Sequence, residues 1–191
     1  MTPLHYYIAL VLLIAAQRIW ELGRSKKNTR ALMERGAIEI GARHYPIMAA
    51  LHTTWLVACV AEALTQPSPP AASMVVGALL LLAMGQALRL LAMATLGERW
   101  TTRIIVLPQT DVVDTGIFRH IRHPNYLGVI LEIAALPLVF GGWKTAIGFS
   151  VANGLLLWVR IRAEEAALNS EGNYGLRFNG RNRFIPSGGK S

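Results

Sequence analysis

The sequence predicts an all-α integral membrane protein with five transmembrane helices, and three observations predict it. Of its 191 residues, 53% are hydrophobic and only 16% charged, against about 25% charged in an average soluble domain. The apolar residues come in long blocks, the length a bilayer requires, not in stripes or alternations. Nearly all of the 19 Lys and Arg fall in or beside three segments, from Arg18 to Arg43, from Arg89 to Arg122 and from Arg160 onward, with Lys144 alone elsewhere. Placing those three segments on the cytoplasmic side satisfies the positive-inside rule. The net charge of +8 is therefore a signature of topology, with contact to anionic membrane lipids as a further use. Nucleic-acid binding is not indicated.

Leu4 to Trp20 is the first expected span, with Tyr6, Tyr7 and Trp20 placed as interfacial aromatics. The opening MTPLHYY lacks the basic stretch of a signal peptide, and positive charge follows the apolar run. An uncleaved helix with its N-terminus outside is expected. Gly23 to Arg43 is mixed and basic, a cytoplasmic connection expected to be helical through Thr29 to Arg35. Tyr45 to Leu64 is the second span. It holds Cys59, the single cysteine, which permits no intrachain disulfide and suits a buried packing role. His52, in the same span, is expected to pack between helices, while His5 and His44 sit at interfaces. Gln66 to Ser73, QPSPPAAS, is a short external turn without Lys or Arg. Met74 to Leu96 is the third span, with Arg89 near its cytoplasmic end and able to snorkel.

Gly97 to His123 is too polar to span and is expected to form an ordered cytoplasmic loop. Pro124 to Phe140 and Trp143 to Val159 are two further apolar runs joined by Gly141-Gly142. Each is near the lower limit for crossing, which predicts a tight hairpin of the fourth and fifth spans. The second run continues as a polar helix through Arg160 to Leu168, and a tail rich in Gly and Arg ends near Pro186. One domain, 1–191, is expected: 1–96 as scaffold and lipid-facing helices, 97–186 as the catalytic half.

The chemistry concentrates at GIFRHIRHPNYLG, Gly116 to Gly128, where Arg119, His120, Arg122 and His123 directly precede a Pro-started apolar run. Proline suits the first helical position because its φ is fixed and it has no N–H to leave unpaired. The cluster therefore sits at a helix start, where side chains and free N–H groups together favour anions. Asn125, Gly128 and Glu132 share one face of the helix that follows. A carboxyl as deep as Glu132 needs a partner inside the bundle, such as a helix bearing His52, or a role with substrate. On the last span Arg160 and Glu164 are four residues apart and face together, and Glu165 lies on a neighbouring face beside Arg162. Both motifs fall at one end of the same hairpin, an arrangement a polar cofactor meeting an apolar substrate would need. Tyr174, Arg177 and Arg183 can fold over that opening as a lid. No HExxH, P-loop, GxSxG or metal-spaced His set occurs, so hydrolase, nucleotide-triphosphatase and metal-centre readings lack support.

The pattern LGERWTTR, DTGIFRHIRHPNYLG, RIRAEEAAL, NYGLRF and RFIP, in that order from Leu96 to Pro186, resembles the isoprenylcysteine carboxyl methyltransferase family of membrane enzymes. The resemblance implies S-adenosyl-L-methionine (SAM) as cofactor. It implies a cytoplasmic pocket made by the last two helices, the 97–123 loop and the C-terminal tail, and a lipophilic substrate reaching it from the bilayer. Carried over, Arg122, His123, Tyr126, Leu127 and Gly128 would line the cofactor pocket, and Glu165 and Tyr174 would close it. Arg160 and Glu164 would act near the reacting groups. Apart from the resemblance, Glu164 four residues on is expected to orient the Arg160 guanidinium, and Asn125 and Glu132 are the candidate substrate residues. The first half matches less well. WELGRSKKNTRAL after the first span is most similar to a bacterial branch that methylates lipophilic polyketides such as alkylpyrones, which implies the bacterial plasma membrane.

Methyl transfer to a carboxylate or acidic enol is thus the expected reaction. A phospholipid or amine N-methyltransferase shares the cofactor. An NAD(P)H-dependent lipid reductase would use the basic cluster for phosphates, although adjacent acids at Glu164-Glu165 suit a ribose or amine better than a pyrophosphate. A non-enzymatic adaptor for anionic lipids explains the charge but neither acid nor the HPNY turn.

Overall fold

The computed structural model describes residues 2–66 and 68–186; residue 67 of the expected external turn and the last five residues lie outside the described residues. The chain folds as α1 (Pro3–Glu34), β1 (Ile38–Ile40), α2 (His44–Ala63), α3 (Ala72–Leu96), β2 (Ile104–Val106), α4 (Pro124–Leu138), α5 (Trp143–Glu171) and α6 (Tyr174–Arg177). Short 3₁₀ turns cover Gly97–Arg99 and Gly116–Arg119. Four helices, α1, α2, α3 and α5, are long and apolar enough to cross a membrane.

Of the five expected spans, four are helices of membrane-crossing length, and α4 is a shorter apolar helix. That helix has 15 residues, about 22 Å at 1.5 Å per residue, short of a hydrocarbon core of about 30 Å. Pro137 in its last turn and Gly141, at a φ of 77°, end it. It nevertheless carries the chain to the end of the bundle where α2 stops and α3 starts, since Gly142 lies against Glu62 and Gly141 against Pro70. Being short is tolerable because α4 is central: it packs on α3, α5 and α2, and Glu132, Ile133, Ala135 and Leu136 are wholly buried.

Two further expectations change. The first helix does not stop near Trp20 but runs 32 residues, about 48 Å. Hydropathy ends where the helix leaves the membrane, but the helix continues because Glu21, Ser25, Asn28 and Leu32 bury one polar stripe. Ser25 bonds Thr102 at 2.9 Å, and the Asn28 amide donates to the carbonyls of Gly97 and Trp100 at 3.1 and 2.7 Å. The connection after α1 and the loop after α3 also hold the only strands among the described residues. They pair antiparallel, with Ile38 opposite Val106 and Ile40 opposite Ile104, and the Glu39–Arg103 ion pair at 2.6 Å closes them. The β-branched Ile-Ile-Val run favours such an extended ribbon.

The apolar core joins α1, α2, α3 and α4 through Tyr7, Val11, Trp55, Cys59, Leu82, Ile133, Leu136 and Phe140. Cys59 is buried there, as expected. At the end where α2 finishes, the Glu62 carboxylate accepts the backbone N–H groups of Lys144 and Thr145 at 3.2 and 2.8 Å, an acid at a helix N-terminus. The α3–α4 crossing is closest at Gly85 and Gly128. A Cβ on Gly128 would lie 2.6 Å from both the Gly85 carbonyl and Arg89 Cγ. Gly128→Ala is therefore expected to lower stability by about 1–3 kcal/mol through overpacking. Gly148→Ala, with open space around it, should leave thermal unfolding in detergent unchanged.

Candidate active site

The loop between α3 and α4, the β1–β2 ribbon and the start of α6 close one end of the bundle over a cavity of about 300 Å³. Its wall at that end includes Trp100, Phe118, Arg122, His123, Asn125, Tyr126, Glu171, Tyr174 and Phe178. From there it descends between α2 and α5, past Met48, Leu56, Leu157 and Val129, to Arg18, Glu21 and Arg89. One polar mouth thus leads into an apolar shaft with a charged floor.

At the mouth, the two sequence motifs meet as their shared hairpin predicted. Tyr126 donates its hydroxyl to Glu164 at 2.6 Å, and His123 Nε2 lies 3.0 Å from Glu165. The Tyr174 hydroxyl approaches the same His123 nitrogen at 3.3 Å. Burial and the neighbouring Glu165 and Glu164 carboxylates push the Tyr174 phenol up, so it stays protonated and able to donate. Arg183 grips Glu165 with two bonds, 2.9 and 2.6 Å, and that pairing raises its pKa further. Backbone bonds from Arg122 N–H to the Asn182 carbonyl and from His123 N–H to the Arg183 carbonyl, 3.2 and 3.0 Å, lay the tail along the HPNY turn. The tail does fold over this end, through Tyr174 and Arg183; Arg177 instead pairs with Asp111 and Asp114 on the outer side.

Several expected site residues sit elsewhere. Arg119 and His120 are exposed and face away from the cavity wall. Leu127 and Gly128 are not on that wall; Gly128 faces α3. Glu165 stands behind His123 and holds the tail. Glu164 does not orient Arg160: it accepts from Tyr126, while Arg160 donates to the Thr102 carbonyl at 3.0 Å. Arg160 is 3% exposed and has no salt-bridge partner among the described residues. Its Nε, together with Arg122 Nε, Trp100 Nε1 and Asn125 Oδ1, is buried without a hydrogen-bond partner among the described residues.

Glu132, 0% exposed, is committed to a four-residue ion cluster. Arg18 bonds both Glu132 and Glu21, the latter at 3.2 Å. Arg89 bonds Glu21 and lies with Nε 3.2 Å from Glu132. Gln17 adds bonds to Glu21 at 3.0 Å and to Gln86 at 2.7 Å. Arg89 therefore turns into the bundle instead of snorkelling, and the partner of Glu132 is this pair of guanidiniums, not His52. His52 itself lines the cavity, with its ring edge-on to Trp55 at 6.4 Å. Trp100, Thr102, Asn153 and the Arg18–Glu21 pair escaped the sequence reading. The available signals were polar residues inside or at the ends of apolar runs.

A cavity lined by polar and cationic side chains at one end and by apolar ones along its length, inside a bundle of membrane-length helices, has the make-up of a small-molecule site. The profile of the Isoprenylcysteine carboxyl methyltransferase (ICMT) family matches residues 78–170. The uncharacterized protein YpbQ of Bacillus subtilis is 36% identical over 159 residues, 83% of this chain and 94% of that one. An uncharacterized protein of Haemophilus influenzae is 31% identical over 82% of this chain and 91% of its own length. A protein-S-isoprenylcysteine O-methyltransferase of Schizosaccharomyces pombe is 29% identical over 109 residues, 56% of this chain and 45% of the yeast protein. The chain belongs to the isoprenylcysteine carboxyl methyltransferase family of membrane methyltransferases.

Removing one member of a buried ion cluster strands the rest at a cost of about 3–5 kcal/mol. Glu132→Gln, equal in shape, is expected to lose that much in reversible unfolding; wild-type stability in the variant would remove the cluster from the account of the fold.

Proposed function

We propose that this chain is a SAM-dependent O-methyltransferase that methylates a carboxylate or acidic hydroxyl (enol) of a small lipophilic molecule drawn from the bilayer. An alkylpyrone-type polyketide is one molecule of that description. The setting we propose is a bacterial plasma membrane, with the N-terminus outside and the cavity mouth on the cytoplasmic side, where the basic segments gather.

The observation that carries the reading is Arg160: a guanidinium buried on the wall of the cavity, held by the Thr102 carbonyl and the neighbouring Tyr126 hydroxyl and lacking an ion-pair partner among the described residues. A buried cation of this kind requires an anion, and an acidic acceptor supplies one. Its charge also holds the acceptor ionised, which makes the oxygen a nucleophile without a separate base.

The mouth suits SAM on the chemistry of its donor set. Arg122 and Trp100 offer open donors, Asn125 an open acceptor, and Glu164 and Glu171 negative charge, while Phe118 and Phe178 supply flat apolar walls. When bound, the cofactor supplies an electrophilic methyl group on a sulfonium. The protein's own work is then to align the acceptor oxygen with that methyl and to exclude water. Arg160 fixes the oxygen, the Tyr126–Glu164 pair braces the wall between α4 and α5, and Glu165 with Arg183 keeps the tail closed. Membership in a methyltransferase family favours this over an NAD(P)H-dependent reductase, and an acidic acceptor for Arg160 favours O- over N-methylation.

Arg160→Ala is expected to abolish methylation while calorimetric affinity for S-adenosylhomocysteine changes less than about threefold; parallel loss of both would assign Arg160 to the cofactor. Arg183→Ala releases two charge-assisted bonds of about 1.5–3 kcal/mol each when fully made. It is expected to weaken S-adenosylhomocysteine at least tenfold and to expose the tail to limited proteolysis, with the helices intact by circular dichroism.

A further inference from the structure

Asn153 lies on α5 within an apolar stretch, is 1% exposed, and lines the shaft of the cavity. Its Oδ1 has no hydrogen-bond partner among the described residues. An unpaired amide in such a place costs about 1–3 kcal/mol, and a leucine of similar volume would avoid that cost. The position is set by the helix: Asn153, Leu157, Arg160 and Glu164 follow i, i+4, i+7, i+11 spacing and all four line the same cavity. Across the shaft, α2 presents His52, a second polar side chain at about the same depth, eight residues past the helix start at His44. Arg18 also lines this cavity, near His52, with its charge already balanced by Glu21 and Glu132.

We propose that Asn153 and His52 form a second polar subsite, and that the natural acceptor carries a hydrogen-bonding hydroxyl or similar group on its lipophilic portion, apart from the methylated oxygen. The inference rests on the methyltransferase reading for the role of Arg160, and adds the class of acceptor: a lipophilic acid or enol with a second polar group. The spacing limits the separation. Asn153 and Arg160 are seven residues apart, about 10 Å along the helix, which an extended chain covers in roughly eight bonds. The Arg160 side chain leans back toward the start of α5 and shortens that distance. A plain hydrocarbon tail would leave the Asn153 amide unpaired; a hydroxyl within this range would satisfy it.

Two measurements test this. In ligand-free protein, Asn153→Leu removes an unpaired polar group, so its unfolding temperature is expected to equal or exceed that of wild type. A drop of several degrees would show that Asn153 is a structural hydrogen bonder and overturn the proposal. In calorimetry with S-adenosylhomocysteine present, octadecanoic acid is compared with its 3-hydroxy and 10-hydroxy derivatives, whose hydroxyls bracket the permitted range. Wild type is expected to bind one hydroxy acid at least tenfold more tightly than octadecanoic acid, and Asn153→Leu to erase that preference while binding octadecanoic acid as before. Equal binding of all three acids by wild type, or a preference that survives Asn153→Leu, would overturn it. Failure of S-adenosylhomocysteine to bind wild type would instead sink the methyltransferase reading, and the stability comparison would still decide the role of Asn153.

Discussion

The structure depends on the charged knot at its centre, where Arg18 and Glu21 of α1, Arg89 of α3 and Glu132 of α4 satisfy one another. In a membrane, apolar burial does little to choose between helix pairings, because lipid is as apolar as leucine. Ion pairs that can be completed in one arrangement only are a stronger arbiter. The knot fixes the rotation of three helices at once, and with it the face of α4 that carries Asn125 and Tyr126 toward the cavity. The close contact of Gly85 with Gly128 is the steric counterpart: it brings α3 and α4 near enough for Arg89 to reach Glu132.

Above this knot, the site is assembled from parts distant in sequence. The HPNY turn, the end of α5, the loop carrying Trp100 and Thr102, and the tail around Arg183 each contribute. Glu165 is the common partner, touching His123 at the start of α4 and Arg183 in the tail. Charges at the mouth are thus mostly spent on closing it, which leaves Arg160 conspicuous as a buried cation with no ion-pair partner among the described residues. The contrast between the four balanced charges of the knot and the guanidiniums of Arg160 and Arg122, which line the wall with no ion-pair partner among the described residues, separates scaffold from site within a single cavity.

Legibility in the sequence followed the range of the interactions involved. Hydropathy and charge distribution located the start of every apolar helix within a few residues, and local spacing brought HPNY and RIRAEE to one end, because both are properties of one hairpin. The failures are all long-range. Nothing near Trp20 signals that α1 continues; the reason is Thr102 and Trp100, some seventy residues away. Arg89 reads as a snorkelling interface residue until Glu21 and Glu132 are seen to await it. The i, i+4 pairing of Arg160 with Glu164 was plausible on the helix surface, but Tyr126 and Thr102 compete for those two groups and win. Gly128 belongs to the most distinctive motif in the chain, yet its role is to admit α3, since a motif records which residues are required and not what each one touches.

The backbone ladder between residues 122–123 and 182–183 also orders events during biosynthesis. Synthesis runs from the N-terminus, so α1 through α4, which carry all four members of the ion cluster, are made before Arg183. A nascent chain that has already inserted and paired its charged residues therefore still has an open, incomplete mouth. Closure of the mouth is thus the last step of folding, completed when the tail docks along the HPNY turn, and pairing of the helices precedes it.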